Sequence, residues 1–230
     1  MVTPIHPPLR ESVLAAFEAA KGFMPTDEGL ALYAAAADAC QRLALPVLEV
    51  GTYCGRSTVL LAEAARAAGT VAVTVDHHRG SEEQQPGWAY HDPALTDPQT
   101  GLTDTVPFFR RTMHFAGLEE HAVAIVGRSA QVATLWRAPL AMVFIDGGHT
   151  EAHAAADLRG WAPHVAAGGV LAIHDVFTDP ADGGQAPYRI YQEALASGTF
   201  IEAGGQGSLR LLQRVLVQTF DPYPPKTVGQ

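Results

Sequence analysis

Cysteine is scarce in this 230-residue chain: only Cys40 and Cys54 occur, and they form no CxxC pair. That excludes a disulfide framework and suits a reducing, cytoplasmic compartment. Runs of basic residues are lacking too, and the formal net charge is −9. Neutralising phosphates needs clustered Lys and Arg, so nucleic acid is not an expected partner. No apolar stretch reaches the roughly 18 residues that a bilayer span requires, so no membrane partner is expected either. The opening Met1-Val2-Thr3-Pro4-Ile5-His6-Pro7-Pro8 has neither the basic segment nor the apolar core of a secretory signal. Internal repeats and low-complexity tracts are also missing.

Hydrophobic residues make up 47% of the chain, enough to build a substantial core. The length fits one domain over residues 1–218, with an N-terminal helical extension over 1–45 and a Pro-rich tail at 219–230. Short apolar runs predict strands at Val47–Val50, Val71–Val75, Ala122–Val126, Ala141–Ile145 and Val170–Ile173. Their near-continuous Val/Ile/Leu/Ala content predicts burial on both faces of a mostly parallel sheet. Helical patterns separate them, at Thr58–Ala68, Thr103–Ala116, Gln131–Trp136 and Thr150–Val165. Two more, Glu11–Lys21 and Asp27–Leu43, precede the first strand. After a helix at Tyr188–Ala196, Gly204-Gly205-Gln206-Gly207 joins Thr199–Ala203 to Ser208–Val215 as a hairpin signal. The expected fold is therefore α/β: a doubly wound, Rossmann-like sheet that ends antiparallel. Two long connections, 77–102 and 175–187, follow the carboxyl ends of strands, where open α/β sheets bind ligands.

The loop after the first strand reads Glu49-Val50-Gly51-Thr52-Tyr53-Cys54-Gly55-Arg56-Ser57-Thr58. Gly51 permits a sharp turn and Gly55 a close backbone approach, while Ser57-Thr58 opens a helix with free N–H groups. A dinucleotide loop needs a further glycine between these two, so that a pyrophosphate can touch bare backbone. Tyr53 stands there instead, which favours a ligand without phosphate. A methionine-like carboxylate and ammonium fit, with Glu49 as the acidic partner of the cation. Asp76 ends the next strand, where an acid can accept hydrogen bonds from ribose hydroxyls. A plain glycine-containing strand–helix turn is the alternative for the loop taken alone.

From about Gly22 to Val215 the chain resembles class I S-adenosylmethionine-dependent methyltransferases. The branch is that of catechol, caffeoyl-CoA and macrocin-type O-methyltransferases and cephalosporin-hydroxylase-like proteins. The resemblance rests on Leu48–Ser57, on Phe144-Ile145-Asp146-Gly147-Gly148-His149, and on Gly168-Gly169-Val170-Leu171-Ala172-Ile173-His174-Asp175. It implies a seven-stranded sheet with its last strand antiparallel, S-adenosylmethionine as cofactor, and a small hydroxylated molecule as methyl acceptor. Cofactor contacts are implied at Glu49, Gly51, Thr52, Tyr53, Gly55, Ser57, Asp76 and Asp146, with adenine near Gly127-Arg128-Ser129-Ala130. Arg128 could stack on adenine or form a surface ion pair.

The chemistry end of the sheet is expected at Asp146, His149, His174 and Asp175. The resemblance implies Asp146 and Asp175 as metal ligands and His149 as catalytic base beside Asp146. His174 departs from that pattern, because Mg²⁺ prefers oxygen ligands whereas imidazole suits Mn²⁺, Fe²⁺ or Zn²⁺. Asp146 capping the next helix, Asp175 ordering its loop, and His149 as a helix-start residue are the structural alternatives. His153 and Asp157 share a helix face with His149, but His149-Thr150-Glu151-Ala152-His153 is not HExxH. They read as an exposed or supporting pair. The connection 77–102, with Trp88, Tyr90, His91 and Asp92, could hold substrate, carry a second metal, or pack against a partner subunit in a homodimer. Met24–Gly29 is a helix-start signal, a segment that closes over the cofactor in similar proteins. Oxygenation on the same fold, NAD(P)-dependent reduction and non-catalytic cofactor binding are the rival functions.

Overall fold

The computed structural model describes residues 7–148 and 150–215. Helices α1 (Glu11–Ala19) and α2 (Thr26–Leu43) precede strand β1 (Val47–Val50). Then follow α3 (Arg56–Ala67), β2 (Ala72–Asp76), α4 (Val106–Ala116), β3 (Ala122–Val126), α5 (Ser129–Leu135) and β4 (Leu140–Ile145). The chain continues through α6 (Glu151–Trp161), β5 (Val165–Ile173), α7 (Ala186–Ala196), β6 (Phe200–Gln206) and β7 (Leu209–Arg214). The sheet order is β3-β2-β1-β4-β5-β7-β6. Strands β1 to β5 pair in parallel, and β7 runs antiparallel to both of its neighbours. This is the expected doubly wound sheet with an antiparallel close. Among the described residues, no helix is long and apolar enough to cross a membrane. The tail expected at 219–230 lies outside the described residues.

Alternation along the central strands divides the core in two. Val47, Met142 and Phe144 face a cluster built by α1 to α4, including Phe17, Leu32, Leu60 and Met113. Leu48, Val143 and Ile145 face the opposite cluster of α5 to α7, including Leu158, Trp161 and Ile190. Continuous apolar runs are what such two-sided burial demands.

Four expectations need correcting. Strand β3 is not buried on both faces: it lies at the sheet edge, and Val126 is 62% exposed. Strand β5 begins at Val165 rather than Val170, because the Gly168-Gly169 stretch continues the strand through a bulge against β4. Helix α6 accordingly ends at Trp161, with a single 3₁₀ turn at Ala162–His164 before the strand. Gly204 and Gly205 are paired residues of β6, and the turn is shorter, at Gly207-Ser208.

An ion pair ties the first helix to the body. The Arg10 guanidinium donates to Glu63 of α3 at 2.7 and 2.6 Å, and Arg66 donates to the same carboxylate at 2.7 and 2.9 Å. Burial alone would raise the Glu63 pKa, but the hydrogen bonds and charges of Arg66 and Arg10 hold it at about 2. A depressed native pKa means that this stability is present above the unfolded value, near 4.5, and disappears as pH falls toward 2. Glu63→Gln is expected to cost about 3 kcal/mol at neutral pH, the low end for a broken buried pair because both arginines reach water. Urea denaturation across pH 2–5 should show a shallower acid-side loss in this variant than in the parent.

Candidate active site

The strand order reverses between β1 and β4, so α3 and α6 leave toward opposite faces and a crevice opens at the carboxyl ends of these strands. A cleft of about 870 Å³ lies there. Gly51 sits at φ +93°, and a Cβ at this position would collide with the backbone carbonyl of Asp146. The two chain segments therefore approach as closely as a bare backbone allows. Tyr53 is left-handed (φ +48°), and Gly55 (φ +89°) caps α3.

Asp76 holds this loop from the neighbouring strand. Its Oδ2 accepts the Tyr53 N–H at 2.8 Å, and its Oδ1 accepts the His78 N–H at 2.7 Å. Each carboxylate oxygen retains a second lone-pair direction for a ligand hydroxyl. Gly51, Thr52, Tyr53, Ser57, Asp76, Arg128, Ser129, Asp146, His174 and Asp175 all line the cleft. Gly55 stands behind the loop, against the Phe109 ring of α4. His149 lies outside the described residues.

Glu49 departs from expectation. It is 1% exposed and turned beneath the loop, where it accepts from Ser57 Oγ at 2.5 Å, Thr58 Oγ1 at 2.5 Å and Thr74 Oγ1 at 2.8 Å. Thr52 and Thr74 hydroxyls also pair with each other. With three hydroxyls to satisfy, the carboxylate organises the strand–helix turn instead of facing a ligand's ammonium. Burial pushes its pKa up to about 7, against the hydrogen bonds from Ser57, Thr58 and Thr74.

Toward β3, Ser129 Oγ accepts the Trp161 indole N–H at 2.7 Å. Asp157 is buried against Ser129, and burial pushes its pKa up to about 6. His153 stays half-exposed, 3.6 Å from Glu82. The anticipated His153/Asp157 pair is thus split, with the acid inside and the imidazole outside. Thr150, not Asp146, caps α6 by accepting the His153 N–H.

The connection 77–102 forms a wall of the cleft. Lys21 bonds to Asp92 at 2.5 Å, and Tyr90 meets the Phe23 ring edge-on at 5.1 Å. Phe23 also contacts Tyr53 at 5.6 Å between centroids, so three aromatic rings adjoin at the mouth. The connection 175–187 supplies the facing wall through Phe177, Gly183 and Pro187.

Asp146, His174 and Asp175 come together as the sequence suggests, with one potential donor atom from each within 4.8 Å of the others. One partner was not anticipated. Glu28 of α2 reaches His174 Nε2 at 2.6 Å, while His174 Nδ1 lies 3.1 Å from Asp146 Oδ1. Glu28 also accepts from the Ser208 N–H at 2.6 Å and the Ser208 hydroxyl at 3.2 Å. Burial would lower the His174 pKa, but the Asp146 charge and hydrogen bonds to Asp146, Asp175 and Glu28 push it up to about 12. Burial acts to raise the Glu28 pKa, yet His174 and Ser208 hold it below the ordinary value. The sequence signal for Glu28 is an acid on the apolar stripe that also carries Leu32 and Ala36. Coordination by the imidazole needs a free lone pair on one ring nitrogen. Both nitrogens are engaged by carboxylates, so the His174 side chain does not fit a Mg²⁺, Mn²⁺, Fe²⁺ or Zn²⁺ site as arranged.

The chain belongs to the methyltransferase-domain family, whose model matches residues 48–176. Among solved structures it is similar to cofactor-bound Rv0187 from MTB, at 20% identity and TM-score 0.60 over 88% of each chain. It is similar also to the O-methyltransferase TomG from Streptomyces achromogenes, which is involved in tomaymycin synthesis and was solved with SAM. That match has 18% identity and TM-score 0.59, over 91% of this chain and 92% of TomG. An O-methyltransferase from Bacillus cereus in complex with SAH matches at 16% identity and TM-score 0.59, over 90% of this chain and 92% of that one.

Glu49 carries a pH signature. A native pKa raised to about 7 means that its contribution to stability is complete below the unfolded value, near 4.5, and is lost as pH rises through 7. Unfolding free energies measured between pH 4.5 and 7.5 should fall less with rising pH in Glu49→Gln than in the parent. Equal slopes would mean that this carboxyl is not buried as described.

Proposed function

We propose that this methyltransferase-family chain transfers the methyl group of S-adenosylmethionine to a hydroxyl of a small metabolite. The observation that carries the reading is the convergence of the Gly51–Ser57 loop, Asp76 and Asp146 on one cleft at the strand-order reversal. S-adenosylmethionine supplies an electrophilic methyl carbon: an O–CH₃ bond forms as the S–CH₃ bond breaks, and S-adenosylhomocysteine leaves. The chain's own groups bind, orient and remove a proton. Asp76 offers acceptors for ribose hydroxyls beyond the two backbone N–H groups it already holds. Gly127, Arg128 and Ser129 also line the cleft and by resemblance would border the adenine, with Thr52, Tyr53, Ser57 and Asp146 toward the amino-acid end.

The acceptor hydroxyl must be deprotonated and in line with the methyl group. Asp146, at the end of β4, lines this part of the cleft beside Asp175, and His149 is assigned the base by resemblance. Proton removal rests on side chains because the donor set around His174 does not suit a metal. The aromatic mouth formed by Phe23, Tyr53 and Tyr90 supports a small, partly apolar acceptor held between the two long connections. Buried free thiols at Cys40 and Cys54 suit a cytoplasmic setting, and a homodimer would be read from light scattering. Nicotinamide chemistry is disfavoured because Tyr53 stands where a pyrophosphate needs bare backbone.

Calorimetry with S-adenosylmethionine and S-adenosylhomocysteine tests the reading directly, and no binding of either at high micromolar concentration would sink it. Asp76→Ala should weaken S-adenosylhomocysteine by about 10- to 100-fold, the scale for losing hydrogen bonds to a charged acceptor. Mass spectrometry of the turned-over acceptor should show the gain of CH₂; a gain of oxygen would assign the fold to hydroxylation instead.

A further inference from the structure

We propose that His174, protonated on both ring nitrogens and clamped between Glu28 and Asp146, is a built-in cation standing where a divalent metal would otherwise serve, so that methyl transfer here is metal-independent. Its catalytic side rests on the methyltransferase reading; its structural side does not.

An ionised carboxylate only accepts. Glu28 already accepts the Ser208 N–H at 2.6 Å and the Ser208 hydroxyl at 3.2 Å, as an ionised group does. Its 2.6 Å contact with Nε2 therefore needs a proton on that nitrogen, and the 3.1 Å contact of Nδ1 with Asp146 needs one on the other. Asp175 Oδ2 lies 3.5 Å from Nδ1, on the same side. With both nitrogens donating, neither has a lone pair for coordination.

Electrostatics points the same way. A dication held by Asp146 and Asp175 at the cleft wall would sit within a few ångströms of the imidazolium, whose own side of the site is buried. His174 and Glu28 are each 5% exposed. The ring is also held sterically. Phe144 meets it edge-on at 6.3 Å, and Gly207 lies so close to Glu28 that a Cβ there would collide with the carboxylate. Turning the ring to free a nitrogen would leave Glu28 a buried charge without its cationic partner, which is costly.

His174 acts through Asp146 and is a positioning residue. It balances the charge of Asp146 and fixes its Oδ1, while Asp146 itself lines the cleft. Its anchor reaches through α2 and the β6–β7 turn, so the N-terminal helices and the terminal hairpin are joined to the chemistry edge by one hydrogen-bond chain.

Mn²⁺ serves as the probe, on full-length protein freed of metal with a chelator. Calorimetry and electron paramagnetic resonance should detect no Mn²⁺ binding at the Asp146/Asp175 cluster in the micromolar range, and long-range ¹⁵N NMR should show both His174 nitrogens protonated at pH 7.5. Turnover should be unchanged by EDTA. His174→Asp replaces the cation with a carboxylate and should gain Mn²⁺ affinity by roughly tenfold or more, a gain removed by adding Asp175→Asn. If that variant does not fold, as circular dichroism would show, the parent's Mn²⁺ titration and NMR spectrum decide alone. Micromolar Mn²⁺ binding abolished by Asp146→Asn, or a His174 with one bare nitrogen, would overturn the proposal. Failure to bind S-adenosylhomocysteine alongside a blank Mn²⁺ titration would remove the methyltransferase reading but leave the built-in cation standing.

Discussion

The contact between Gly51 and the Asp146 carbonyl is the constraint on which the site depends. Helices α3 and α6 must depart to opposite faces after β1 and β4, and the two strands are neighbours. Their exits therefore pass each other at backbone distance, which only a residue without a Cβ permits. Everything that follows in space, from the left-handed turn at Tyr53 to the cap at Gly55 and the start of α3, is referred to that crossing. The crevice beyond it is a consequence of topology, and the side chains decide what chemistry it can host.

Among the described residues four buried acids surround this framework, and each is satisfied in a different way. Glu63 is paired with two arginines, Glu49 accepts from three hydroxyls, Asp157 meets Ser129, and Glu28 meets His174 and Ser208. A carboxylate without such partners would be expensive in a dry interior. The difference in partners explains why burial and charge shift these groups in opposite directions: Glu63 is held at about 2, whereas Glu49 rises to about 7. Asp76, Asp146 and Asp175 line the cleft at the strand ends, and Asp76 keeps acceptor capacity for a ligand beyond its two backbone N–H groups. Inner acids hold the scaffold, while outer acids remain for binding and catalysis.

Much of this arrangement was legible in the residues. Apolar runs bounded by glycine marked β1, β2 and β4 to within a residue or so, because buried parallel strands leave little room for polar side chains. Boundaries failed where glycine has two meanings. Gly204-Gly205 reads locally as a turn and Gly168-Gly169 stands just outside the strand expected at Val170–Ile173, yet both pairs sit inside β6 and β5. The site was half legible. Asp76, Asp146 and Asp175 follow from their positions at strand ends, where a parallel sheet gathers carboxyl-terminal groups. Glu28 was not, because nothing local links residue 28 to residue 174 or 208. The reversed role of Glu49 was equally hidden, since Ser57, Thr58 and Thr74 meet it only after β2 pairs with β1.

The sequence by itself determined the class of fold, the glycine-bearing turn after β1 and the set of acids at the sheet's edge, since periodicity, turn chemistry and strand ends are local properties. The tertiary structure alone decided which of those acids face the cleft and which are taken up internally. It also decided that His174 has a carboxylate on each side. Hydrogen-bond partnership between residues far apart in the chain is set by packing, and a one-dimensional pattern carries no record of it.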